Sequence, residues 1–343
     1  MALLEGIRIK NYRALRDIQM GRLSGDWADN VPPLTPLVAV IGKNGAGKSS
    51  IFDAFGFLAD CLTVGVEEAC DLKERGGFNR LRSAGATGPI EFELYFRPSA
   101  SALPTTYELA IDLDKAGRPG VAREALRQRR KGMEEKGRPL AFLYLEWGKG
   151  KAWKGNTVGE NEDSKDKISV RLTDYRHLGI ATLGALKEHP RIAAFRNFIA
   201  SWYLSYFTPD AARGLPKVGP QKHLNLHGDN LANVVQFMER EHRRAFKSVL
   251  SRVASKIPGL IKIDTKPSED DRLLLRFWQE GFKKPFYAQQ MSDGTLKVFA
   301  YLLLLEDPAL RSPRTGSTTS CLSSSPGNSA ITRPRRVAPR SSS

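Results

Sequence analysis

The sequence predicts an α/β fold, and three of its features carry this prediction. A continuous apolar run over residues 34–41 is typical of a strand that is buried on both faces of a parallel sheet. A glycine-rich turn, Gly42–Ser50, follows at once, and apolar residues then recur at helical spacing as far as Leu62. Between residues 89 and 147 the pattern changes to short β-rich stretches, and helical patterns dominate beyond residue 178.

The remaining elements follow from the pattern of each segment. The chain begins with a strand in which Leu4, Ile7 and Ile9 are interleaved with charged residues, and residues 11–16 turn out of it. The polar stretch 148–167 contains no long apolar run, so a loop or linker is predicted there. Further strands are predicted at 89–97, 106–114, 140–147, 260–263 and 273–278, and further helices at 178–202, 230–256 and 293–305.

Composition excludes several classes of protein. With 41% hydrophobic and 26% charged residues over 343 positions, the chain is typical of a soluble globular protein. Three cysteines cannot form a paired disulfide framework, and they favour a reducing compartment. The N-terminus lacks the signal-peptide and transit-peptide patterns, and the apolar stretch Val298–Leu305 is far shorter than the ~20 residues of a membrane span. We therefore expect a cytoplasmic protein without a membrane partner.

The net charge of +16 is unevenly distributed. Six arginines and no acidic residue follow Asp307, which leaves 16 minus 6, or +10, for residues 1–307. A body of this charge favours a polyanionic partner such as nucleic acid, although a merely solvated basic surface explains it as well. The densest basic runs are 127–131 and 240–247, and both explanations stay open for them.

The glycine-rich turn matches the pattern of a phosphate-binding loop, G-x-x-x-x-G-K-[ST], with Gly42-Lys43-Asn44-Gly45-Ala46-Gly47-Lys48-Ser49. Glycines let backbone N–H groups approach phosphate oxygens, and the N-terminus of the following helix adds partial positive charge. Lys48 can reach the β- and γ-phosphates, and the Ser49 hydroxyl can ligate Mg²⁺. We therefore predict a site for ATP and Mg²⁺ formed by Gly42 to Ser50.

Two motifs support a resemblance to a known clan. The loop form N-G-x-G-K-S-S, after an opening I-x-I-x-N-Y-R strand, resembles the ATPases of the ABC clan that include RecF, SMC/Rad50 and the OLD nucleases. Met291-Ser292-Asp293-Gly294-Thr295, followed by an apolar helix, is similar to the signature motif of that clan. Over residues 1–307 the chain most resembles compact RecF-type predicted ATPases of the AAA kind. Two shorter stretches are similar to features of that group, Arg75-Gly76-Gly77-Phe78 and His227-Gly228-Asp229-Asn230-Leu231.

This resemblance implies a P-loop ABC-type ATPase head with a β-rich insertion and a helical lid, which together occupy residues from about 100 to 285. Two such heads sandwich ATP, so that Ser292, Asp293 and Gly294 of one head would face the γ-phosphate held by the other. A plain helix-capping turn is the alternative for these three residues. The resemblance also implies that Arg13 lies near the nucleotide, with a solvated arginine as the alternative. The implied partners are a second copy of the chain, DNA and a nuclease, in DNA repair or in defence against foreign DNA.

The hydrolytic machinery of that clan is missing from the sequence. The resemblance implies an apolar strand that ends in Asp/Glu-Glu-Pro, whose acids hold Mg²⁺ and polarise the attacking water. Here Leu305-Glu306-Asp307-Pro308 leads into a segment without acidic residues. We therefore predict that hydrolysis is impaired, and the alternative is a pseudo-ATPase that binds nucleotide or DNA without turnover.

Residues 308–343 contain ten serines, five prolines and six arginines, and we expect this tail to be disordered. Read in another frame with synonymous codons, Ala309–Leu322 can encode I-E-E-P-E-N-G-L-Y-H-K-L-L, which is similar to the missing motif. We therefore expect a frameshift near codon 308 in an ordinary RecF-like ATPase, with a natural basic tail as the alternative. His223 and His227 are four residues apart, as some zinc ligands are, but ordinary histidines are expected because no carboxylate follows at metal-site spacing.

Overall fold

The structure, a computed structural model, describes residues 2–26, 30–36, 38–99, 101–128, 139–155, 167–219, 221–307 and 320–322. Its strands are β1 (Leu3–Tyr12), β2 (Leu15–Gly21), β3 (Ile90–Arg97), β4 (Thr105–Leu113), β5 (Pro119–Gln128), β6 (Leu140–Glu146), β7 (Lys149–Trp153), β8 (Lys167–Arg171), β9 (Tyr203–Ser205), β10 (Leu260–Pro267), β11 (Leu273–Gln279), β12 (Phe286–Tyr287) and β13 (Ser320–Leu322). Its helices are α1 (Lys48–Val64), α2 (Val66–Asp71), α3 (Phe78–Leu81), α4 (Gly179–Leu183), α5 (Pro190–Ala200), α6 (Pro209–Ala212), α7 (Leu231–Glu241), α8 (Arg243–Ala254) and α9 (Asp293–Leu305).

The largest sheet has eight strands in the order β2-β1-β3-β4-β5-β6-β7-β8, and its neighbouring strands are antiparallel. One face packs against α1 and α5 through aromatic rings, such as Phe96 against Phe198 at a centroid distance of 4.3 Å. Because side chains of a strand alternate between faces, the other face carries charged residues. This sheet and its helices form the first core cluster.

A second core cluster is built from α7, α8 and α9 against the antiparallel sheet β10-β11-β12. Phe277 of β11 and Phe299 of α9 are fully buried, and their ring centroids lie 5.8 Å apart. The predicted helix at 293–305 is confirmed to the residue, and α1 begins two residues before the predicted start at residue 50. The helical period of apolar residues explains both successes.

The apolar run 34–41 is not a strand, so the prediction of a buried parallel strand is wrong. Its described residues, 34–36 and 38–41, have no strand pairing, and the side chain of Ile41 is 92% exposed. A strand that is apolar on both faces is stable only between paired neighbours and covering layers. No described strand pairs with this run.

Several other segments differ from the prediction: the sequence pattern did not predict β2 and β5, and the predicted helices at 178–202 and 230–256 are each divided in two. Residues 149–153 of the expected loop form β7, which pairs with β6 and β8; the sequence pattern missed it because pairing, not its own apolar content, holds this strand. In the tail, where disorder was expected, residues 320–322 form β13, parallel to β9, and the rest of 308–343 lies outside the described residues. None of the described helices has the length and apolar character needed to cross a membrane.

Candidate nucleotide-binding site

The predicted phosphate-binding loop forms an exposed turn that leads directly into α1. Gly45 and Gly47 have φ angles of +80° and +87°, in the left-handed region that glycine adopts without strain. A Cβ atom on Gly47 would lie only 2.9 Å from Cδ2 of Leu15, so the packing also requires glycine there. The backbone therefore has the sharp turn that the pattern G-x-x-x-x-G-K-[ST] needs.

Lys48 is the first residue of α1, and its side chain reaches back over the loop. Its Nζ donates to the backbone oxygens of Gly42 at 2.6 Å and of Lys43 at 2.7 Å. The ammonium group therefore lies beside the N-terminus of α1, where unpaired N–H groups and the helix dipole favour an anion. This set of donors fits a phosphate group, whose anionic oxygens would replace the two carbonyls as acceptors.

Ser49 and Ser50 follow on the first turn of α1, and Ser49 is exposed. Within the described residues there is no cluster of three or more His, Cys, Asp or Glu side chains that could hold a metal ion. A Mg²⁺ ion at the loop would therefore rely on the Ser49 hydroxyl together with phosphate oxygens and water, which is a set of hard oxygen ligands that Mg²⁺ prefers.

The end of β1 is bonded to α1 through Asp53, which lies five residues after Lys48. The Tyr12 hydroxyl donates to Oδ2 of Asp53 at 2.7 Å, and Nε of Arg13 lies 2.8 Å from the same oxygen. Burial and then the negative charge of Asp53 raise the pKa of Tyr12, so its hydroxyl stays protonated at neutral pH. The structure thus brings Arg13 to the first turns of α1, while its contact with a nucleotide stays a prediction.

Arg75 is the member of this site to which the sequence assigned no role. Its side chain is 0% exposed, and it donates to Asp53 at 3.0 Å, to Asp60 at 2.7 Å and to the Ala69 carbonyl at 3.0 Å. Burial works to lower the pKa of Arg75, but the two carboxylates outweigh it, so the pKa is raised and the guanidinium is charged. Arg75 therefore holds α1, the helix that follows the phosphate-binding loop, through two carboxylates on its packed side.

A sequence signal for this buried cation existed. Asp53 and Asp60 lie seven residues apart, on one face of the largely apolar helix α1. Charged groups are almost never buried without a partner. Two carboxylates on the packed side of a helix therefore predict a cation from elsewhere in the chain, although not which one.

The predicted signature segment lies at the N-terminus of α9 and is exposed over Ser292, Asp293 and Gly294. Ser292 is the N-cap, and its Oγ accepts from the Thr295 N–H at 3.2 Å. A Cβ atom on Gly294 would meet nothing within 4 Å, so the surface there is open. The structure shows that Ser292 caps α9. The phosphate-binding loop precedes α1, which belongs to the first core cluster, whereas α9 belongs to the second. Contact of the Ser292 segment with a partner's nucleotide therefore stays a prediction.

Arg213 holds this segment from the side. It donates to the carboxylate of Asp293 at 2.6 Å, to the Met291 carbonyl at 2.9 Å and to Asp210 at 2.7 Å. The hydrogen bond to Asp293 is the main reason that the pKa of Arg213 is raised. The turn before α9 is therefore anchored on both of its sides.

The two histidines do not share a helix face, because neither lies in a helix. Nδ1 of His223 is 3.0 Å from the carboxylate of Asp307, and Nδ1 of His227 is 3.3 Å from the Tyr206 carbonyl. In the same segment, buried Asn230 donates to the His223 carbonyl at 2.8 Å. These contacts make residues 223–230 a structural turn before α7.

The last acidic residues of the chain are structural as well. Glu306 and Asp307 follow α9, with 2% and 5% of their surface exposed. Glu306 pairs with Arg252 at 3.1 Å, and Asp307 pairs with His223. In this arrangement one carboxylate contacts an arginine and the other a histidine, and both are hidden from a substrate.

Two comparisons with known proteins bear on this geometry. No curated protein matches the sequence. Residues 37–313 match the family described as "AAA domain, putative AbiEii toxin, Type IV TA system", and this range includes both the phosphate-binding loop and the Ser292 segment. The match spans well over half of the 343 residues. The chain therefore belongs to this AAA-domain family of P-loop ATPases, which bind nucleotide, typically with Mg²⁺.

Proposed function

We propose that the chain is an ATP-binding head of the RecF/SMC type that dimerises around ATP and acts together with DNA. The observation that carries this proposal is the loop at the start of α1, where left-handed Gly45 and Gly47 form the turn and Lys48 covers it. The family match supports nucleotide binding in general. The RecF type, the dimer, and the pathway in DNA repair or defence rest on the resemblance of the motifs.

Nucleotide binding is tested with a fluorescent ATP analogue and Mg²⁺. Lys48→Ala removes the cation that the loop aims at the phosphates, and a charge-assisted hydrogen bond of ~1.5–3 kcal/mol corresponds to roughly 10- to 150-fold weaker binding. Lys43→Ala is the matched control, because Lys43 lies in the same exposed loop but contributes only its backbone oxygen to the Lys48 contact. Equal losses in the two variants would contradict the assignment.

Dimerisation is tested by light scattering with and without ATP. Gly294→Glu adds a negative side chain where a Cβ atom meets nothing, so the fold of one chain should tolerate it. A partner's γ-phosphate would be repelled by this carboxylate. We expect the variant to bind ATP normally and to remain monomeric; an ATP-dependent dimer of Gly294→Glu would show that the signature segment does not face the nucleotide.

A non-hydrolysing ATP-binding protein is the second candidate, and one observation favours it. Glu306 and Asp307 are buried in ion pairs, and no acidic residue follows them in the sequence. Water positioning and charge stabilisation supply most of the rate in phosphoryl transfer, so turnover without such an acid falls by orders of magnitude. Release of phosphate that requires Mg²⁺ and is lost in Lys48→Ala would exclude this candidate.

The frameshift hypothesis accounts for the same observation at the level of the gene. The conformation of residues 34–36 and 38–41 supports it, because the structure assigns them to no strand, and a buried parallel strand needs neighbouring strands. Resequencing from codon 295 onward tests it directly. Codons that cannot spell I-E-E-P-E in another frame would refute it.

A further inference from the structure

The outer face of the large sheet carries a cluster of cations at its end. We call it the β7–β8 patch, and it consists of Lys149, Lys151, Lys167 and Arg171. The four side chains are exposed, and the pairing register places Arg171 opposite Lys149. They share a face because the intervening residues, such as Ala152, are buried in the core. The patch is therefore a continuous basic surface on two adjacent strands.

Cations elsewhere on this face are neutralised, and those of the patch are not. On the central strands Arg8 pairs with Asp17 at 2.7 Å, and Arg127 pairs with Glu108 at 2.8 Å. In contrast, the four patch cations form no ion pair with another described residue. The positive potential of the patch is consequently available to a ligand rather than used within the fold.

One acidic residue and one aromatic ring border the patch on β6. Glu146 lies opposite Lys149, and its carboxylate accepts a hydrogen bond from the Tyr144 hydroxyl. With Glu146 counted, the surface carries four positive charges and one negative charge, a net of +3. Tyr144 lies opposite Lys151 and is 36% exposed, so its ring is accessible from the same side.

A second aromatic ring borders the patch. Trp153 lies opposite Lys167, and the Lys167 ammonium is 5.9 Å from the centre of the indole ring. Proteins hold single-stranded nucleic acid by combining cations along its phosphate backbone with aromatic rings on which its bases stack. An anionic membrane or an acidic protein would use the cations but has no bases for the rings.

Protection of a sheet edge explains the patch only in part. Lysines on a terminal strand prevent pairing with another chain, and β8 is the last strand of this sheet among the described residues. Lys149 and Lys151 lie on β7, which has neighbours on both sides and needs no such protection. Their charge therefore calls for another reason.

We propose that the β7–β8 patch binds the phosphate backbone of single-stranded nucleic acid, with Tyr144 as a stacking platform for a base. This inference deepens the proposed function, and it rests on that function for the role of the bound nucleic acid. The patch is separate from the phosphate-binding loop in sequence and in structure, because it lies on the outer face of the sheet while α1 packs on the inner face. Binding to it should need no nucleotide.

The test measures the anisotropy of a labelled 30-nucleotide oligo-dT, without ATP, across a series of salt concentrations. Replacing Lys151, Lys167 and Arg171 with Gln removes three phosphate contacts, which should lower the salt slope by about 2 and the affinity at 0.1 M salt by roughly 100-fold. The matched control replaces Arg243, Arg244 and Lys247 of α8 with Gln; these are three exposed cations in the basic run 240–247. We expect the control to keep the wild-type slope.

The outcomes are decisive in each direction. Equal losses in the two triple variants, or a loss only in the α8 variant, would overturn the proposal. So would binding of the wild-type chain to vesicles that contain phosphatidylserine without any binding to the oligonucleotide. The melting temperature of each variant is compared with that of the wild-type chain, so that a loss of binding caused by unfolding is recognised.

Two further variants separate the ring and the loop from the patch. Tyr144→Leu should weaken oligo-dT binding about tenfold and leave duplex binding nearly unchanged, because only unpaired bases stack on an exposed ring. Equal weakening of both would refute the stacking role. Lys48→Ala should weaken binding of the ATP analogue roughly 10- to 150-fold and leave the oligonucleotide salt slope intact, so failure of the nucleotide site and failure of the patch are distinguishable.

Discussion

Replacement of Arg75 by methionine tests the central electrostatic feature of the candidate site. Methionine retains most of the apolar part of the arginine side chain. In the native chain the Arg75 guanidinium carbon lies 5.4 Å from the centre of the Phe57 ring. The change removes the cation that bonds to both Asp53 and Asp60. These carboxylates are 15% and 16% exposed, so water can compensate for the loss only in part.

The expected magnitude follows from that geometry. Breaking a buried ion pair by removing one partner costs about 3–5 kcal/mol, because the remaining charge stays buried without compensation. Arg13 stays 2.8 Å from Asp53 and Lys73 stays 2.9 Å from Asp60, so we expect Arg75→Met to lower the free energy of unfolding by the lower end of this range, about 3 kcal/mol. Neutralising the network in the triple variant Arg75→Met, Asp53→Asn, Asp60→Asn should recover part of the loss, since the charges then left without a carboxylate, Arg13 and Lys73, are 35% and 38% exposed and can be hydrated.

The assay is urea unfolding followed by circular dichroism, with binding of the fluorescent ATP analogue as a second readout. Arg80→Met is the control, because Arg80 is exposed on the neighbouring helix and should change stability by no more than about 0.5 kcal/mol. A loss below about 1 kcal/mol for Arg75→Met would refute the network as a source of stability. A triple variant as unstable as Arg75→Met would show that shape, and not charge, is what the site requires.

Three further predictions concern the rest of the chain. Glu124 is fully buried, and burial raises its pKa to about 7 although three hydrogen-bond donors oppose the shift. Because the folded state then holds a proton that the unfolded state releases, the free energy of unfolding should fall by roughly 3 kcal/mol as pH rises from 4.5 to 7. Urea unfolding of Glu124→Gln at the same pH values should show no such decrease. Gly228→Ala should destabilise the turn before α7 and lower the melting temperature, because φ is +82° and the new Cβ would lie 2.4 Å from the Phe207 ring, whereas Gly117→Ala, also at positive φ but in open space, should cost less. Ser292→Ala should cost about 1 kcal/mol through loss of the cap on α9, and Ser292→Asp should restore it; an unchanged melting temperature for the alanine variant would contradict the capping geometry.

The local patterns of the sequence determined those elements whose stability is largely their own. The loop glycines and α1 were predicted from residue types at fixed spacing, and α9 was predicted at 293–305 from its apolar period and its Ser292 start. Helices and turns of this kind are selected by contacts among residues close in sequence. The motifs at both ends of the candidate site could therefore be identified without the fold.

Tertiary structure decided the features that depend on distant residues. The role of Arg75 could not be predicted, because its partners Asp53 and Asp60 belong to α1, outside its own segment of the chain, and only packing brings the charges together. β7 was predicted as a loop, since a short strand rich in lysine and glycine exists only through pairing with β6 and β8. The run 34–41 shows the converse: its sequence satisfies the pattern of a buried strand, but a strand forms only where neighbours pair with it, and here no described strand does.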